Sequence, residues 1–351
     1  MKKVVIYGAG NRLRQSIVAL DYTYDIVSIV DMDPQKQGNF FEFIDYQGEE
    51  KKYLIEEFNS TYNDLLYIIT IDNWSNIYAE LNKKGVHNIK ILSGMIDKNK
   101  ESKDLEKYIV TGFREFGINR DFDEALYNTW ECWDNHFIEP YIIKNFIEVS
   151  EKNNVNVLQD KKNSILDYGF GCGLLNLYLL INGYRNVFGI EVDEIKYKYL
   201  ISKIENFEYP SIWKKNFILY NGDKIPYEDE RFDLVISDQV LEHVKYVEGS
   251  LKEIYRVTKN NGYIYLECPN YKGYYEPHYR VDFDKSIKEN ISEFKKKLIK
   301  EGYNADALKT LNLIEPEDII SICERIGGIQ VFDYSTIDRI KILCKKVNNK
   351  Q

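Results

Sequence analysis

The sequence predicts an α/β protein made of two Rossmann-like units. A short apolar strand followed by a glycine-containing turn and a helical segment occurs twice, beginning near residues 3 and 164. Each copy is followed by another apolar strand that ends in an acidic residue, which is the alternation expected of a parallel sheet. The 351 residues exceed one typical domain and are enough for two packed cores.

Composition narrows the class of protein. Hydrophobic residues make up 44% and charged residues 29%, as in a folded globular chain. The net charge of −9 disfavours a sequence-independent grip on nucleic acid, which needs a basic surface. The five cysteines form no C-x-x-C pair, which argues against a disulfide framework and a zinc site. No apolar run approaches the ~20 residues that span a bilayer, so we expect a cytoplasmic protein without a metal or a membrane partner.

The first unit is predicted to span residues 1–95. Strands are expected near residues 2–7, 25–33, 64–71 and 88–92, with helices after residue 10 and near residues 73–84. The early Gly-Ala-Gly turn and the later pattern D-x-D-x-x-K-x-G resemble the short Rossmann-like domains found beside sugar-modifying transferases. The residues that carry this second pattern are Asp31, Asp33, Lys36 and Gly38.

The residues of the first unit leave two interpretations open. The dinucleotide fingerprint G-x-G-x-x-G has Leu13 in place of its third glycine, which weakens the case for a nucleotide. A second nucleotide ligand would be held by Gly8, Gly10, Arg12, Arg14 and Asp31. In the alternative, the unit is a scaffold or a dimerisation domain, which would allow a homodimer; the sequence leaves the oligomeric state open. Hydride transfer is disfavoured because the unit contains no Tyr-x-x-x-Lys pair.

Residues 96–160 are predicted to form a helical connector. Aromatic residues and a histidine recur there at helical spacing. One interpretation is a lid in which Trp130 and His136 reach the bound ligands, and the other is that these side chains pack the helix onto the second unit.

The most informative motif lies at residues 164–173. An apolar strand ends in Asp167 and is followed by Gly169, Gly171 and Gly173, whose lack of Cβ atoms lets the backbone lie against a ligand. A triphosphate loop would continue with Lys-Ser/Thr, whereas this chain continues with two leucines. The motif therefore favours a nucleoside that carries a positive charge.

Later acidic residues fit such a nucleoside. Glu191 ends a second buried strand about twenty residues past the glycine turn, where an open α/β sheet places a ribose-binding carboxylate. Asp193 is predicted to cap the next helix. Asp223 follows a third short strand, and runs at residues 231–244 and 255–270 contain a fourth and a fifth.

Taken in order, these motifs resemble the class I S-adenosylmethionine-dependent methyltransferases. The resemblance covers residues ~125–346, with five motifs between residues 160 and 270. It implies a methyltransferase domain over residues 161–351, a seven-stranded sheet, and S-adenosylmethionine as cofactor. The implied roles are Asp167, Gly169, Gly171 and Gly173 for the methionine end, Glu191 for the ribose, Asp223 and Lys224 for the adenine, and Asp238 and Gln239 beside the reacting methyl group. Phe170 departs from the family pattern, and we expect it to tune cofactor affinity.

The segment at residues 269–282 is the expected acceptor site. It leaves the carboxyl end of the fifth strand and is rich in tyrosine, which suits a pocket with aromatic walls. Its candidate acceptor contacts are Tyr274, Tyr275, Glu276, Tyr279 and Arg280. A hydroxyl acceptor needs a base, for which His278 is the first candidate and His243 the second. His136, Glu276, a tyrosine or no base at all stay open.

The expected function is transfer of a methyl group to a small polar acceptor, a sugar or a nucleotide sugar, with O-methylation favoured. Two alternatives remain. One is a catalytically inactive regulatory protein that binds a nucleotide or S-adenosylmethionine. The other is an aminopropyl-type transferase that uses the same pocket, although Asp238-Gln239 supplies only one of the two acids common in that chemistry.

Overall fold

The structure, a computed structural model, describes residues 1–45, 47–71, 74–91, 139–206, 209–273, 275–276, 281–282, 291–300 and 311–347. These residues form two mixed sheets of six and seven strands and a separate two-stranded ribbon. Helices cover the sheets, so the protein is of the α/β class, as predicted. None of the helices in these ranges is long and apolar enough to cross a membrane.

The first sheet is built by the amino-terminal part of the chain. Its elements are β1 Lys3–Tyr7, α1 Asn11–Thr23, β2 Asp25–Val30, β3 Phe40–Ile44, β4 Glu50–Glu56, β5 Leu66–Ile69, α2 Trp74–Lys83 and β6 Ile89–Ile91. The strand order is β3-β4-β2-β1-β5-β6, with every neighbouring pair parallel except β3 and β4. The four predicted strands and both helices are present.

The hairpin of β3 and β4 is absent from the sequence prediction. It is fixed at its turn by the Asp45 carboxylate, which accepts hydrogen bonds from the amides of Gln47 (2.8 Å) and Glu49 (3.0 Å). Lys51 on β4 forms ion pairs with Asp21 (2.5 Å) and Asp45 (3.4 Å). These polar contacts add to the burial of Phe41 in the core, and the hairpin extends the sheet with one antiparallel edge strand.

The second sheet is built by the rest of the chain. Its elements and their flanking helices are α3 Tyr141–Lys152, β7 Ser164–Tyr168, α4 Leu174–Ile181, β8 Asn186–Glu191, α5 Glu194–Asn206, β9 Phe217–Leu219, β10 Phe232–Asp238, α6 Val247–Val257, β11 Thr258–Pro269, β12 Tyr275–Glu276, β13 Val281–Asp282, α7 Ile291–Lys300, α8 Pro316–Ile326, β14 Ile329–Asp333 and β15 Arg339–Lys346. The small pair of β12 and β13 lies outside the main sheet.

The order of the second sheet is β14-β15-β11-β10-β7-β8-β9. The strands from β9 to β11 are parallel, while β15 runs antiparallel to both β11 and β14. The predicted seven-stranded sheet is confirmed. The chain runs outward from β7 through β8 to β9 and then returns to β10 on the other side of β7. The point at which the strand order reverses is therefore the gap between β7 and β10.

The two parts of the molecule meet along an aromatic seam. Tyr22 of α1 stacks on Trp213 with ring centroids 5.8 Å apart, and Tyr209 lies 5.3 Å from the same indole. The hydroxyl groups of Thr23 and Tyr209 are hydrogen-bonded at 3.2 Å. Helix α1 also contacts α4, the helix that follows the glycine turn.

Candidate functional site

The candidate site lies where the strand order of the second sheet reverses. In open α/β sheets, ligands bind at the carboxyl ends of the strands on either side of such a point. Here β7 ends at Tyr168 and its neighbour β10 ends at Asp238. The glycine turn leaves β7 at this edge, as the sequence predicted.

The three glycines of the turn have different surroundings. A Cβ atom on Gly169 would lie 2.5 Å from Val240, and one on Gly173 would lie 2.3 Å from Leu200. Gly171, by contrast, has φ +53° and no atom within 4 Å of its Cβ position. Gly169 and Gly173 therefore allow the turn to pack on the protein, while Gly171 leaves space on the side where a ligand would approach.

Phe170 is a core residue rather than a contact to the ligand. It is buried, and its ring packs edge-on against Phe217 at 5.6 Å. It fills the space left by the missing side chain of Gly189, whose Cβ position lies 2.7 Å from the Phe170 ring. The Phe170 side chain points into the packing between β8 and β9, so any effect on cofactor affinity would act through the shape of the turn; that effect stays a prediction.

Asp167 is a buried carboxyl group at the end of β7. Its exposed fraction is 4%, and no described side chain or amide donates a hydrogen bond to it. Burial, followed by the charge of Glu191, raises the pKa of Asp167 to about 8. With this pKa the carboxyl group is mostly protonated at neutral pH, and a nearby cation would favour its ionised form. The position suits a positively charged group of a ligand.

Glu191 joins the end of β8 to the glycine turn. Its carboxylate accepts hydrogen bonds from the amides of Gly171 (2.8 Å), Val192 (2.8 Å) and Asp193 (3.0 Å). A carboxylate has about four acceptor positions, so one remains for a ligand hydroxyl. Asp193 accepts a hydrogen bond from the Lys196 amide at 3.2 Å, which confirms its predicted role at the start of α5.

Asp223 and Lys224 lie on an exposed turn after β9. Asn221 donates to the Asp223 carboxylate at 2.9 Å, and the Asp223 amide donates back to Asn221 at 3.1 Å. This exchange fixes the turn at the same edge of the sheet as Glu191, while Lys224 stays exposed.

Gln239 follows Asp238 at the end of β10 and has the left-handed φ of +56°. Its backbone amide donates to the backbone carbonyl oxygen of Glu267 at 2.8 Å. The Nε2 atom of its side chain is buried without a hydrogen-bond partner in the described parts of the chain. His243 lies in the next turn, a short 3₁₀ segment Leu241–His243, and is half-buried. An unsatisfied buried donor next to the switch point is a second indication that a ligand completes this site.

The fit of S-adenosylmethionine can be judged from these donors and acceptors. Carboxylates from four neighbouring strands line the same edge: Asp167, Glu191, Asp223 and Asp238. A nucleoside with a cationic sulfonium and an ammonium group suits a negative edge, a free hydroxyl acceptor at Glu191 and the open space at Gly171. The residues present therefore fit this cofactor.

Several predicted residues lie outside the described residues. These are Trp130, His136, Tyr274, His278, Tyr279 and Arg280. The backbones of Tyr275 and Glu276 form β12, which pairs with β13 next to the end of β11. Their proposed contacts with the acceptor stay predictions. In the ranges that the structure covers, no three potential ligands cluster in a way that could hold a metal ion.

A polar cluster that sequence analysis did not find lies beside the candidate site. Glu267, near the end of β11, is fully buried and forms an ion pair with Arg339 of β15 at 2.8 Å. Asn145 of α3 donates to both of its oxygens at 2.9 and 3.0 Å, and the Tyr265 hydroxyl lies 3.1 Å away. The available signal was a glutamate within an otherwise apolar strand.

Two of the predicted nucleotide residues of the first sheet, Asp31 and Arg14, have contacts within the protein. Asp31 accepts hydrogen bonds from the Ala9 amide (2.7 Å) and from Lys36 (2.9 Å). Burial opposes ionisation, but these bonds and that of the Asp33 amide outweigh it and lower the pKa of Asp31. The Arg14 guanidinium lies over the Phe41 ring, 5.0 Å from its centroid. A nucleotide at Gly8, Gly10 and Asp31 stays a prediction, as does a homodimer.

Comparison with known proteins supports the interpretation of the second sheet. A family described as "Methyltransferase domain" matches residues 166–266. An uncharacterized protein of Methanocaldococcus jannaschii is 27% identical over 149 residues, which are 41% of this chain and 60% of that protein. The chain thus spans about 60% of the length of this curated relative.

Two solved structures are similar to part of this chain at low identity. An S-adenosylmethionine-dependent methyltransferase from Aquifex aeolicus is 18% identical, with 63% of this chain and 93% of that chain covered and a TM-score of 0.38. One from Mesorhizobium loti is 12% identical, with 52% and 91% covered and a TM-score of 0.38.

Proposed function

We propose that this chain, which contains a class I S-adenosylmethionine-dependent methyltransferase domain, transfers a methyl group to a small polar acceptor. The observation that carries the proposal is Asp167, a buried carboxyl group without a hydrogen bond from the described residues, at the strand-order reversal of a seven-stranded sheet. S-adenosylmethionine supplies an activated methyl group on a sulfonium, so the protein itself has to bind and align.

Each carboxylate of the edge has a separate task in this proposal. Asp167 balances the cationic methionine end, and Glu191 accepts a ribose hydroxyl while it holds the glycine turn. The exposed turn of Asp223 and Lys224 borders the adenine. Asp238 and Gln239, at the end of β10, lie beside the reacting centre. There the side-chain Nε2 of Gln239, which has no partner in the described residues, is available to a carboxylate or hydroxyl of the ligands.

We propose a sugar or a nucleotide sugar as the acceptor, methylated on oxygen. The tyrosine-rich segment after β11 and the resemblance of the first unit to domains beside sugar-modifying transferases support this choice. Removal of the hydroxyl proton would fall to His278 or to His243, whose 3₁₀ turn follows β10 directly.

The test is calorimetric titration of S-adenosylhomocysteine into the wild type, Glu191→Ala and Asp193→Ala. We expect micromolar binding of the wild type, about −8 kcal/mol. Glu191→Ala should weaken it at least about 30-fold, because a charged hydrogen bond to the ligand is lost and the turn is released. Asp193→Ala is the matched control, since this neighbouring acid caps α5, and its affinity should stay within about twofold of the wild type.

Failure of the folded wild type to bind S-adenosylhomocysteine would refute the cofactor assignment. If binding is present, a labelled-methyl assay with sugars, nucleotide sugars and other hydroxylated metabolites tests the acceptor. Product formed only from another class of metabolite would overturn the sugar proposal while leaving the methyl transfer in place.

A further inference from the structure

The cluster around Glu267 fixes the position of a guanidinium group. The Glu267 side chain is completely buried, and its oxygens are satisfied by Asn145, Tyr265 and Arg339. A buried carboxylate with this many donors is held in one orientation, because any other arrangement would leave a buried charge unpaired. Arg339 is therefore held at its Nη1 atom by a rigid partner.

The rest of the Arg339 guanidinium remains available. Of its five donors, the described residues occupy only Nη1, and the side chain is 35% exposed. The guanidinium lies 5.1 Å from the centroid of the Tyr141 ring, which is itself 53% exposed. Stacking on an aromatic ring fixes the plane of the guanidinium and leaves its edge open to a planar anion.

A second cation lies against the same ring. Lys341 is two residues beyond Arg339, so both side chains leave β15 on one face. Its Nζ atom is 5.7 Å from the Tyr141 centroid, and it forms no ion pair with a described residue. The two cations thus converge on one exposed aromatic ring and form a patch together with Tyr141, with Glu148 and Asp338 as acidic neighbours of Lys341.

The patch lies at the carboxyl edge of the sheet, two strands from β10. Asp238 at the end of β10 pairs with Glu267 of β11, and Glu267 pairs with Lys341 of β15. Neighbouring strands are about 4.8 Å apart, so the patch is about 10 Å from β10. That distance is comparable to the length of a sugar bearing a charged substituent, and the patch lies on the side of β10 opposite to the cofactor carboxylates.

We propose that Arg339, Lys341 and Tyr141 form an anion subsite that binds a phosphate or carboxylate group of the acceptor. The proposal rests on the proposed methyl transfer for its biological role, but the anion site can be tested separately. Tyr141 provides a flat wall, Arg339 a fixed pair of donors and Lys341 a mobile charge. The acceptor class then narrows to anionic sugars: a nucleotide sugar or sugar phosphate if phosphate binds, and a uronic acid if carboxylate binds.

The same strand provides a matched control. Lys345 lies on the same face of β15, and its Nζ atom is 5.7 Å from the Tyr263 ring, the same lysine–tyrosine geometry as at Lys341. It pairs with Tyr263 at the other end of β11, away from the carboxyl edge. Lys341→Gln and Lys345→Gln therefore remove equivalent charges from one strand and differ in position.

The experiment is titration of inorganic pyrophosphate, and separately of glucuronate, into the full chain with and without saturating S-adenosylhomocysteine. We expect one of the two anions to bind, with an affinity lowered about fivefold by Lys341→Gln and unchanged by Lys345→Gln. Arg339→Lys, which keeps the charge opposite Glu267 but loses the fork, should weaken binding about tenfold. Comparison of the two anions distinguishes a phosphate from a carboxylate as the natural group.

Two outcomes would overturn the proposal. One is no binding of either anion to the wild type, and the other is an equal loss in Lys341→Gln and Lys345→Gln, which would indicate a general charge effect. The S-adenosylhomocysteine titration in the same samples separates the two proposals. Cofactor binding without anion binding would refute only the anion subsite. Anion binding without cofactor binding would refute the proposed methyl transfer but leave the anion site supported.

Discussion

Replacement of Asp167 by asparagine should stabilise the protein and weaken its binding of S-adenosylhomocysteine. The buried carboxyl group has a pKa of about 8, against 3.8 in an unfolded chain. Between these values the native state retains a proton that the unfolded state releases. The free energy of unfolding therefore falls as pH rises from about 4 to about 8 and levels off above that range. Asparagine cannot ionise, so the variant lacks this pH dependence.

The size of the effect follows from the shift in pKa. For each pH unit above the unfolded-state pKa of 3.8 and below the native-state pKa of about 8, the free energy of unfolding falls by about 1.4 kcal/mol. At pH 7 the total loss is about 4 kcal/mol. An unpaired buried amide costs about 1–3 kcal/mol, so the net gain of Asp167→Asn at pH 7 is about 1–3 kcal/mol. The cost of the amide does not depend on pH. The difference in stability between the variant and the wild type should thus grow by about 4 kcal/mol between pH 5 and pH 8.

Urea unfolding of both proteins at several pH values provides the measurement. Asp233, at the amino end of the adjacent strand β10, is the matched control. Burial would raise its pKa, but hydrogen bonds from Lys259 (2.7 Å) and Ser164 (2.7 Å) lower it. Its stabilising contribution is present above the unfolded value and is lost as pH falls, so Asp233→Asn should destabilise the protein at pH 7. A stability difference for Asp167→Asn that stays constant with pH, or unchanged S-adenosylhomocysteine binding, would refute the reasoning.

Two further predictions concern the walls of the site. Gly173→Ala should lower the free energy of unfolding by about 3 kcal/mol, because its φ of +75° disfavours a side chain and the Cβ would meet Leu200 at 2.3 Å. Gly171→Ala should cost only about 1 kcal/mol yet weaken S-adenosylhomocysteine binding, a contrast that urea unfolding and calorimetry would reveal. Asn312→Ala should cost about 2 kcal/mol in urea unfolding, since its side chain donates to the Val244 carbonyl at 2.8 Å and supports the turn after β10; an unchanged midpoint would contradict this.

The sequence predicted the parts of the fold in which local pattern and tertiary packing agree. The strands β7, β8 and β10 are buried on both faces and appear in the sequence as apolar runs, as parallel strands covered by helices do. The glycine turn and the acid at each strand end were equally visible, because a parallel sheet places all carboxyl ends at one edge. The sequence therefore predicted that the carboxyl groups of Asp167 and Glu191 lie at the same edge of the sheet.

The features that the sequence did not predict depend on contacts between distant segments. The ion pairs of Lys51 with two aspartates join distant segments, and β4, with four charged residues of seven, lacks the apolar run used to recognise the other strands. The sequence prediction also missed the apolar residues of β3. Phe170 lies in a motif that contacts ligands, yet the absence of a side chain at Gly189 gives its ring a place in the core. The spacing of residues in the sequence could predict neither the hairpin nor the position of the Phe170 ring, because each depends on which distant residue lies opposite in the folded protein.

At the carboxyl edge of the second sheet, Arg339 and Lys341 of β15 lie between the acidic residues of β7, β8 and β10 on one side and Asp333 of β14 on the other. Acidic residues end β7, β8 and β10, whereas β15 begins with Arg339 and continues to Lys341. A cationic donor of a methyl group and an anionic acceptor would be attracted to different parts of this edge. Glu267 is in direct contact with Arg339, and its full burial and this ion pair reduce its repulsion of an anion. The sheet order therefore separates the two proposed ligands by charge and leaves the end of β10, between them, as the place where the acceptor oxygen would meet the methyl group.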